Sequence, residues 1–271
     1  MSANSTIIIE ATNVSLAWSH AFLHAMHTTL RDIRPIVLTI GGFDPPLPPE
    51  DSNIRTLVDN ALVRADKYRT QVSAMTIFPF TMWLRRSKPS CAEFSSLCID
   101  RLIPRLKRRD RHNQYGTYFE RMMAFRGTRN SVERVVNQIQ HVIELLKSRR
   151  RRPRQSALQV ACFDPAKDHT RQPVRGFPCL QQVAFAYDAN GGLCVSAFYP
   201  TQYIFDRAYG NYLGLCHLGY FVAHETGLTL RQMTCFIGRP LLGTVSKSTL
   251  RPLQRKIELH LRTVASREEP S

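Results

Sequence analysis

Hydrophobic positions along this chain alternate between two periods. Thr6-Ile7-Ile8-Ile9-Glu10 is a short β-branched run that predicts a strand. From Val14 the period lengthens. Trp18, Ala21, Phe22, Ala25 and Met26 recur at helical spacing behind Asn13, a good N-cap, and predict a helix over 14–30. Residues 35–40 predict a second strand, closed by Gly41-Gly42. The proline-rich stretch 44–49 lacks the amide donors of regular structure and predicts a loop before a helix around 54–65. Residues 73–79, with Met82 and Trp83, read as core. Val132, Val135, Val136, Ile139, Ile143 and Leu146 form one stripe and predict a single helix, with Lys147 and Arg149 suiting the negative end of its dipole. Beyond Arg154 the period shortens to two. Leu158, Val160 and Cys162 alternate with polar or small residues. Val183, Phe185 and Tyr187 lead through Asp188-Ala189-Asn190-Gly191-Gly192 to Leu193, Val195 and Ala197, a hairpin whose Asn and Gly supply positive φ. A helix over 211–226 closed by Gly227 and a short strand over 233–237 follow. Helices interleaved with paired strands predict an α/β (α+β) fold of three layers.

Composition narrows the function classes. The 271 residues are 43% hydrophobic and 9% aromatic, enough for a sizeable core, and the formal net charge of +16 implies affinity for polyanions or phosphate-bearing ligands. The charge is concentrated in two runs: Arg105, Lys107, Arg108, Arg109 and Arg111, then Lys147 with Arg149, Arg150, Arg151, Arg152 and Arg154. Seven scattered cysteines with no Cys-x-x-Cys pair argue against a zinc site or disulfide framework and for reduced thiols in a cytoplasmic protein. His20, His24 and His27 share one side of the first predicted helix without a carboxylate companion, so no metal is expected. Neither a signal peptide nor a membrane-spanning stretch is expected.

The candidate chemistry centres on Gly176-Phe177-Pro178-Cys179-Leu180-Gln181, with Cys179 between a proline and a strand. Gln114-Tyr115-Gly116, Asn137-Gln138-Ile139 and Val160-Ala161-Cys162-Phe163-Asp164-Pro165 precede it. Asn211 and the helix ending Gly227-Leu228 follow it. In order and spacing this set resembles the thymidylate synthase and pyrimidine hydroxymethylase superfamily, which shows Tyr-Gly, Asp-Gln-Ile, an Arg pair, a Pro-Cys nucleophile and an Asn opening a helix that ends in Gly-Leu. The resemblance covers residues 110–243. It implies a single domain over 1–271, with a divergent part at 1–110 and a C-terminal helix and tail at 244–271. It also implies a large mixed sheet flanked by helices.

The resemblance implies that Cys179 is the thiolate that adds to C6 of a pyrimidine, that Tyr115 lies near it, and that Asn211 reads N3–H and O4 of a uracil-type ring. It implies substrate contacts from Gln182 and Asp164, and from Arg152 or Arg154 reaching across a homodimer packed sheet to sheet. It implies 5,10-methylenetetrahydrofolate as cofactor. The chain also departs from the pattern. Leu180 stands for the usual His. Pro200 stands at a phosphate-binding Arg, Tyr203 at a folate-touching Asp, and Leu241 and Gly243 at the ribose-holding His and Tyr. The family's catalytic Glu and folate-stacking Trp find no counterpart.

Two functions therefore stay open, with an unrelated basic RNA-associated protein as a third class. One is a one-carbon transferase acting at C5 of a pyrimidine nucleotide or related small molecule of atypical kind. The other is an inactive relative that holds nucleotide or, through the basic runs, nucleic acid.

Overall fold

The computed structural model describes residues 5–28, 34–43, 48–109, 113–114, 116–129, 132–148, 154–169, 171 and 179–268. The elements in chain order are β1 (Ile7–Ala11), α1 (Val14–His27), β2 (Ile36–Ile40), α2 (Ser52–Arg64), α3 (Thr70–Ile77), α4 (Phe80–Arg85), α5 (Cys91–Leu97), α6 (Ile103–Arg109), α7 (Tyr118–Met123), β3 (Phe125–Arg129), β4 (Val132–Val136), α8 (Gln138–Lys147), β5 (Gln159–Ala161), α9 (Pro165–Asp168), β6 (Gln182–Tyr187), β7 (Gly192–Tyr203), α10 (Tyr209–Thr226), β8 (Thr229–Leu241) and α11 (Lys247–Glu268). A π-helical turn, Ile204–Ala208, runs directly into α10. No described helix is long and apolar enough to cross a membrane.

The mixed sheet expected from the sequence is present, with six strands in the order β1-β2-β8-β7-β6-β5. Its registers align residues into rows that cross the whole sheet. Ile9, Leu38, Cys235, Ala197, Val183 and Val160 form one row. All six are buried and face the helices. The neighbouring row, Ile8, Val37, Phe236, Phe198, Gln182 and Ala161, belongs to the opposite face. There Ile8 is 72% exposed, Phe236 41% and Phe198 37%. The period-two alternation of the strands produces this division.

Helices pack on the sheet in two tiers. α1 and α10 lie against the strands, and α3, α4 and α8 close over α10. Tyr209 to Ala223 of α10 is buried without interruption, so this helix has no polar face, as befits a helix enclosed on all sides. Glycine makes the close approach to α3 achievable. A Cβ at Gly210 would lie 2.4 Å from the Thr70 carbonyl oxygen, and one at Gly214 2.8 Å from that of Ala74.

Local capping sets several boundaries. Asn13 accepts the Leu16 N–H at 2.8 Å, as its position predicts. Asp51 accepts from Asn53 and Ile54, which starts α2 earlier than the hydrophobic spacing suggests. The single helix predicted through Val132, Val135 and Val136 is a correction. These residues form β4, paired antiparallel with β3, and the helix begins only at Gln138. The Asn137 side chain caps it, accepting the Gln140 N–H at 2.9 Å. β-branched valines suit a strand better than a helix, and the cap separates the two.

Because the α3–α10 contact is backbone to backbone at Gly210, Gly210→Ala is expected to lower stability by about 1–3 kcal/mol through overpacking. Urea denaturation followed by circular dichroism measures it; unchanged stability would mean that α3 moves aside at no cost.

Candidate functional site

Cys179 stands where the chain bends before β6, half-buried. The Gln181 N–H donates to the Phe198 carbonyl at 3.0 Å. Residues ahead of Gln181 therefore lie at the end of the sheet where β7 runs out into the π-helical turn. Two side chains meet Cys179 there. The Tyr118 hydroxyl, from the first residue of α7, bonds to its sulfur and accepts the Leu180 N–H at 3.4 Å. Arg207, from the π-helical turn, brings its positive charge to both groups.

The turn itself is pinned. The Trp18 indole donates to the Ile204 carbonyl at 2.8 Å, and the Phe205 N–H to the Leu242 carbonyl at 2.8 Å. The Thr244 hydroxyl donates to Asp206 at 2.8 Å. The Arg207 guanidinium sits 5.6 Å over the Tyr68 ring, a cation–π contact that helps fix its direction. π-turns within helices are frequent at functional sites.

Three forces act on the Cys179 thiol. Burial pushes its pKa up. Arg207 and the Tyr118 hydrogen bond pull it down without cancelling the burial, so the net shift is upward. The Tyr118 phenol is raised too, chiefly by burial. Both groups rest protonated at neutral pH.

Further buried polar groups lie near Tyr118. Tyr199 is fully buried, its phenol within electrostatic reach of those of Tyr118 and Tyr212. The Tyr212 hydroxyl donates to Gln202 Oε1 at 3.0 Å. The Tyr199 hydroxyl and Gln202 Nε2 are buried with no hydrogen-bond partner among the described residues. Buried donors are normally satisfied, so these two are exceptions, enclosed within the core.

The residues expected at the site fare differently. Asn211 is 4% exposed and lies within α10, after the π-helical turn that carries Arg207; it is not an N-cap. Tyr115 and Arg152 lie outside the described residues, as does Pro178. Arg154 is exposed and precedes the short 3-10 turn Gln155–Ala157. Gln182 is not brought to Cys179. It belongs to the outward row of the sheet and hydrogen-bonds Gln159. Asp164 caps α9 through the Ala166 N–H at 3.1 Å and pairs with Lys167 at 2.9 Å, beside a separate cavity. Gln138, from the Asn-Gln-Ile segment, plays a structural part: its carboxamide bonds the Ala161 N–H and carbonyl and the Arg121 carbonyl, tying β5 to α7.

Sequence reasoning missed Tyr118 and Arg207. Neither carried a signal in the sequence, because Arg207 lies in a π-helical turn that uniform helical spacing does not describe. Among the described residues no group of His, Cys, Asp and Glu is arranged to hold a metal. The folate implied by the resemblance lacks its stacking indole. Trp18 is 0% and Trp83 2% exposed, and their indole N–H groups are committed to the Ile204 and Pro89 carbonyls.

Alkylation of Cys179 by iodoacetamide, followed by peptide mass spectrometry against pH, is expected to show a midpoint above the ordinary thiol value of about 8.5. Arg207→Ala and Tyr118→Phe each remove a stabiliser of the thiolate and move the midpoint higher. A downward shift in either variant would contradict the arrangement.

A scan against protein-family models finds none that matches this chain, and a search of curated proteins finds no significant match.

Proposed function

We propose that this protein uses Cys179 to add covalently to a uracil-type pyrimidine, activating C5 for transfer of a one-carbon unit. The observation that carries the reading is the meeting of Cys179, Tyr118 and Arg207 at the sheet end from which the Asn211 helix departs. In the proposed step a sulfur–C6 bond forms, the C5=C6 pair becomes a C4=C5 bond, the C4=O pair moves onto O4, and O4 takes the thiol proton. Protonation at C5, loss of the original C5 hydrogen and expulsion of the sulfur restore the ring. A reduced folate of the 5,10-methylenetetrahydrofolate type is the donor that the resemblance implies. The described residues do not fit it in the expected way, since both indoles are buried in the core.

The exchange half of this chemistry needs no donor and is its test. Deoxyuridine monophosphate, uridine and a short uracil-containing oligonucleotide, each deuterated at C5, are incubated with the protein and followed by NMR. Loss of deuterium from at least one is expected, falling by at least about 1,000-fold in Cys179→Ser. Absence of exchange with all three, or exchange indifferent to Cys179→Ser, would remove the reading. The raised thiol pKa favours one second reading, binding without turnover. It is identified by ligands that protect Cys179 from alkylation yet undergo no exchange.

The same reading includes a second copy of this chain as partner on the outward sheet face. Phe198 and Phe236 stack there at 5.7 Å between ring centroids while both remain exposed, with Ile8 in the same row. Apolar groups arranged across a sheet in this way suit an isologous contact. Sedimentation at micromolar concentration is expected to give a dimer that Phe198→Arg with Phe236→Arg converts to monomer; a monomeric wild type would end this part of the reading.

A further inference from the structure

A second feature of the molecule lies across α7 from Cys179. A cavity of about 180 Å3 opens between α6, α7, β3 and α9, lined among others by Lys107, Glu120, Arg121, Phe125, Arg126 and Lys167. Its walls are ordered by ion pairs. Lys107 meets Glu120 at 2.7 Å, and Arg121 holds Asp168 through both terminal nitrogens at 2.6 and 2.8 Å. Lys167 donates to the Arg126 carbonyl at 2.8 Å and lies 5.9 Å over the Phe125 ring. Glu120 Oε2 is buried and has no hydrogen-bond partner among the described residues. A ligand hydroxyl or amino group would satisfy it.

The elements around the cavity carry further charge that its walls do not neutralise. Arg105, Arg108 and Arg109 on α6 and Arg134 on β4 are exposed and form no ion pair among the described residues. Arg126 is 66% exposed, and its pair with Glu133, at 3.6 Å, is a surface pair worth little. β4 presents apolar groups to solvent on both faces: Val132, 57% exposed, and Val136, 44%, flank Arg134 on one, and Val135, 59%, lies opposite Arg126 on the other. The β3–β4 ribbon is a separate two-stranded sheet, so neither strand joins the main sheet.

We propose that α6, the cavity and the β3–β4 ribbon form a binding surface for single-stranded nucleic acid. The exposed arginines take backbone phosphates, and the exposed valines take the faces of unstacked bases. The cavity admits a phosphate or a base edge together with a donor for Glu120. A duplex offers the phosphates but hides the base faces. The charge of the whole chain, +16, favours the encounter. The surface is separate from Tyr118 and Arg207 and goes beyond the pyrimidine chemistry: it would bring a polymer, rather than a free nucleotide, to the neighbourhood of Cys179.

The test uses the full chain and fluorescein-labelled single-stranded oligonucleotides, one of uridine and one of deoxyuridine, titrated at several salt concentrations. The variant is Arg108→Ala, Arg109→Ala and Arg134→Ala together, at exposed positions where folding is undisturbed. The control removes the same charge from α11: Arg251→Ala, Arg255→Ala and Lys256→Ala. The patch variant is expected to lose at least about tenfold in affinity, and its slope of log K against log salt to flatten by about 0.7 for each phosphate contact removed. The control is expected to lose much less. Tighter binding of the ribose strand assigns the surface to RNA, and equal binding assigns it to the backbone that both strands share. Equal losses in variant and control, a duplex binding as tightly as the single strands, or binding only to anionic vesicles would each overturn the proposal. Deuterium exchange at C5 of a mononucleotide is expected to survive in the patch variant, so this surface and the Cys179 reading fail separately.

Discussion

The structure depends on burying one helix completely. α10 has the sheet on one side and α3 and α4 on the other, and it reaches both through glycine. Gly210 and Gly214 share the face against α3, where any Cβ would press on the backbone of residues 70–74. Gly219 serves the sheet side, where a Cβ would lie 2.9 Å from Leu230 Cδ1 and 3.0 Å from Val195 Cγ2. Glycine within a helix costs about 1 kcal/mol relative to alanine. Three in one helix are tolerable because each allows a close contact that a larger residue would push apart. The same enclosure makes His217 a core residue. It stacks on Phe80 at 4.3 Å, and burial, with the Arg55 charge adding to it, pushes its pKa down to about 3.

Enclosing α10 fixes where its first turn begins, and so fixes the candidate site. The chain leaves β7 at Tyr203 and must turn into a helix whose position is already dictated by packing. A π-turn absorbs the mismatch by taking an extra residue into the turn. The Ile204 carbonyl and the Phe205 amide find partners outside the helix, Trp18 from α1 and Leu242 after β8, and the Asp206 carboxylate accepts the Thr244 hydroxyl. Gly243 belongs to this clasp, since its φ is +134° and a Cβ there would lie 2.3 Å from Asp206 Oδ1. Arg207 is thus aimed by contacts from both ends of the chain, although no residue adjacent in sequence requires its orientation.

What could be read from the sequence divides along the same line. Features carried by neighbours a few residues apart were legible. Asn13 marked a cap, Asn190-Gly191 a hairpin turn, although Gly191 and not Asn190 takes the positive φ there, and Gly227 a helix end, and the alternation of buried and exposed positions yielded the strands. The mixed sheet flanked by helices followed from these. Val132, Val135 and Val136 misled because their spacing fits a helix stripe and a strand equally well; pairing with Phe125–Arg129 decides, and pairing is a long-range fact. Cys179 stood out through its proline and the strand after it, but Tyr118 and Arg207 did not. A chain bend before β6 and a π-turn after β7 bring them in, and counting residues along a uniform helix anticipates neither. Gln182 followed Cys179 closely in sequence yet points outward with Phe198, since adjacent strand residues face opposite sides.

The balance of forces at Cys179 also constrains the proposed chemistry. Burial leaves thiol and phenol protonated together, with Arg207 moderating but not reversing the effect. A free thiolate would react with any electrophile that reached it. A protonated thiol becomes a nucleophile only when something accepts its proton as sulfur bonds to carbon. In a uracil-type ring the acceptor arises in the same event, because charge moves onto O4 as the sulfur adds to C6. The guanidinium of Arg207, already in place beside the sulfur, would favour that charge more than it favours the neutral ring. Groups held in place before the charge forms need little reorganisation when it does, which makes such an arrangement effective. On this account the raised pKa of Cys179 is compatible with reactivity, which waits for a ligand able to take both the sulfur and its proton.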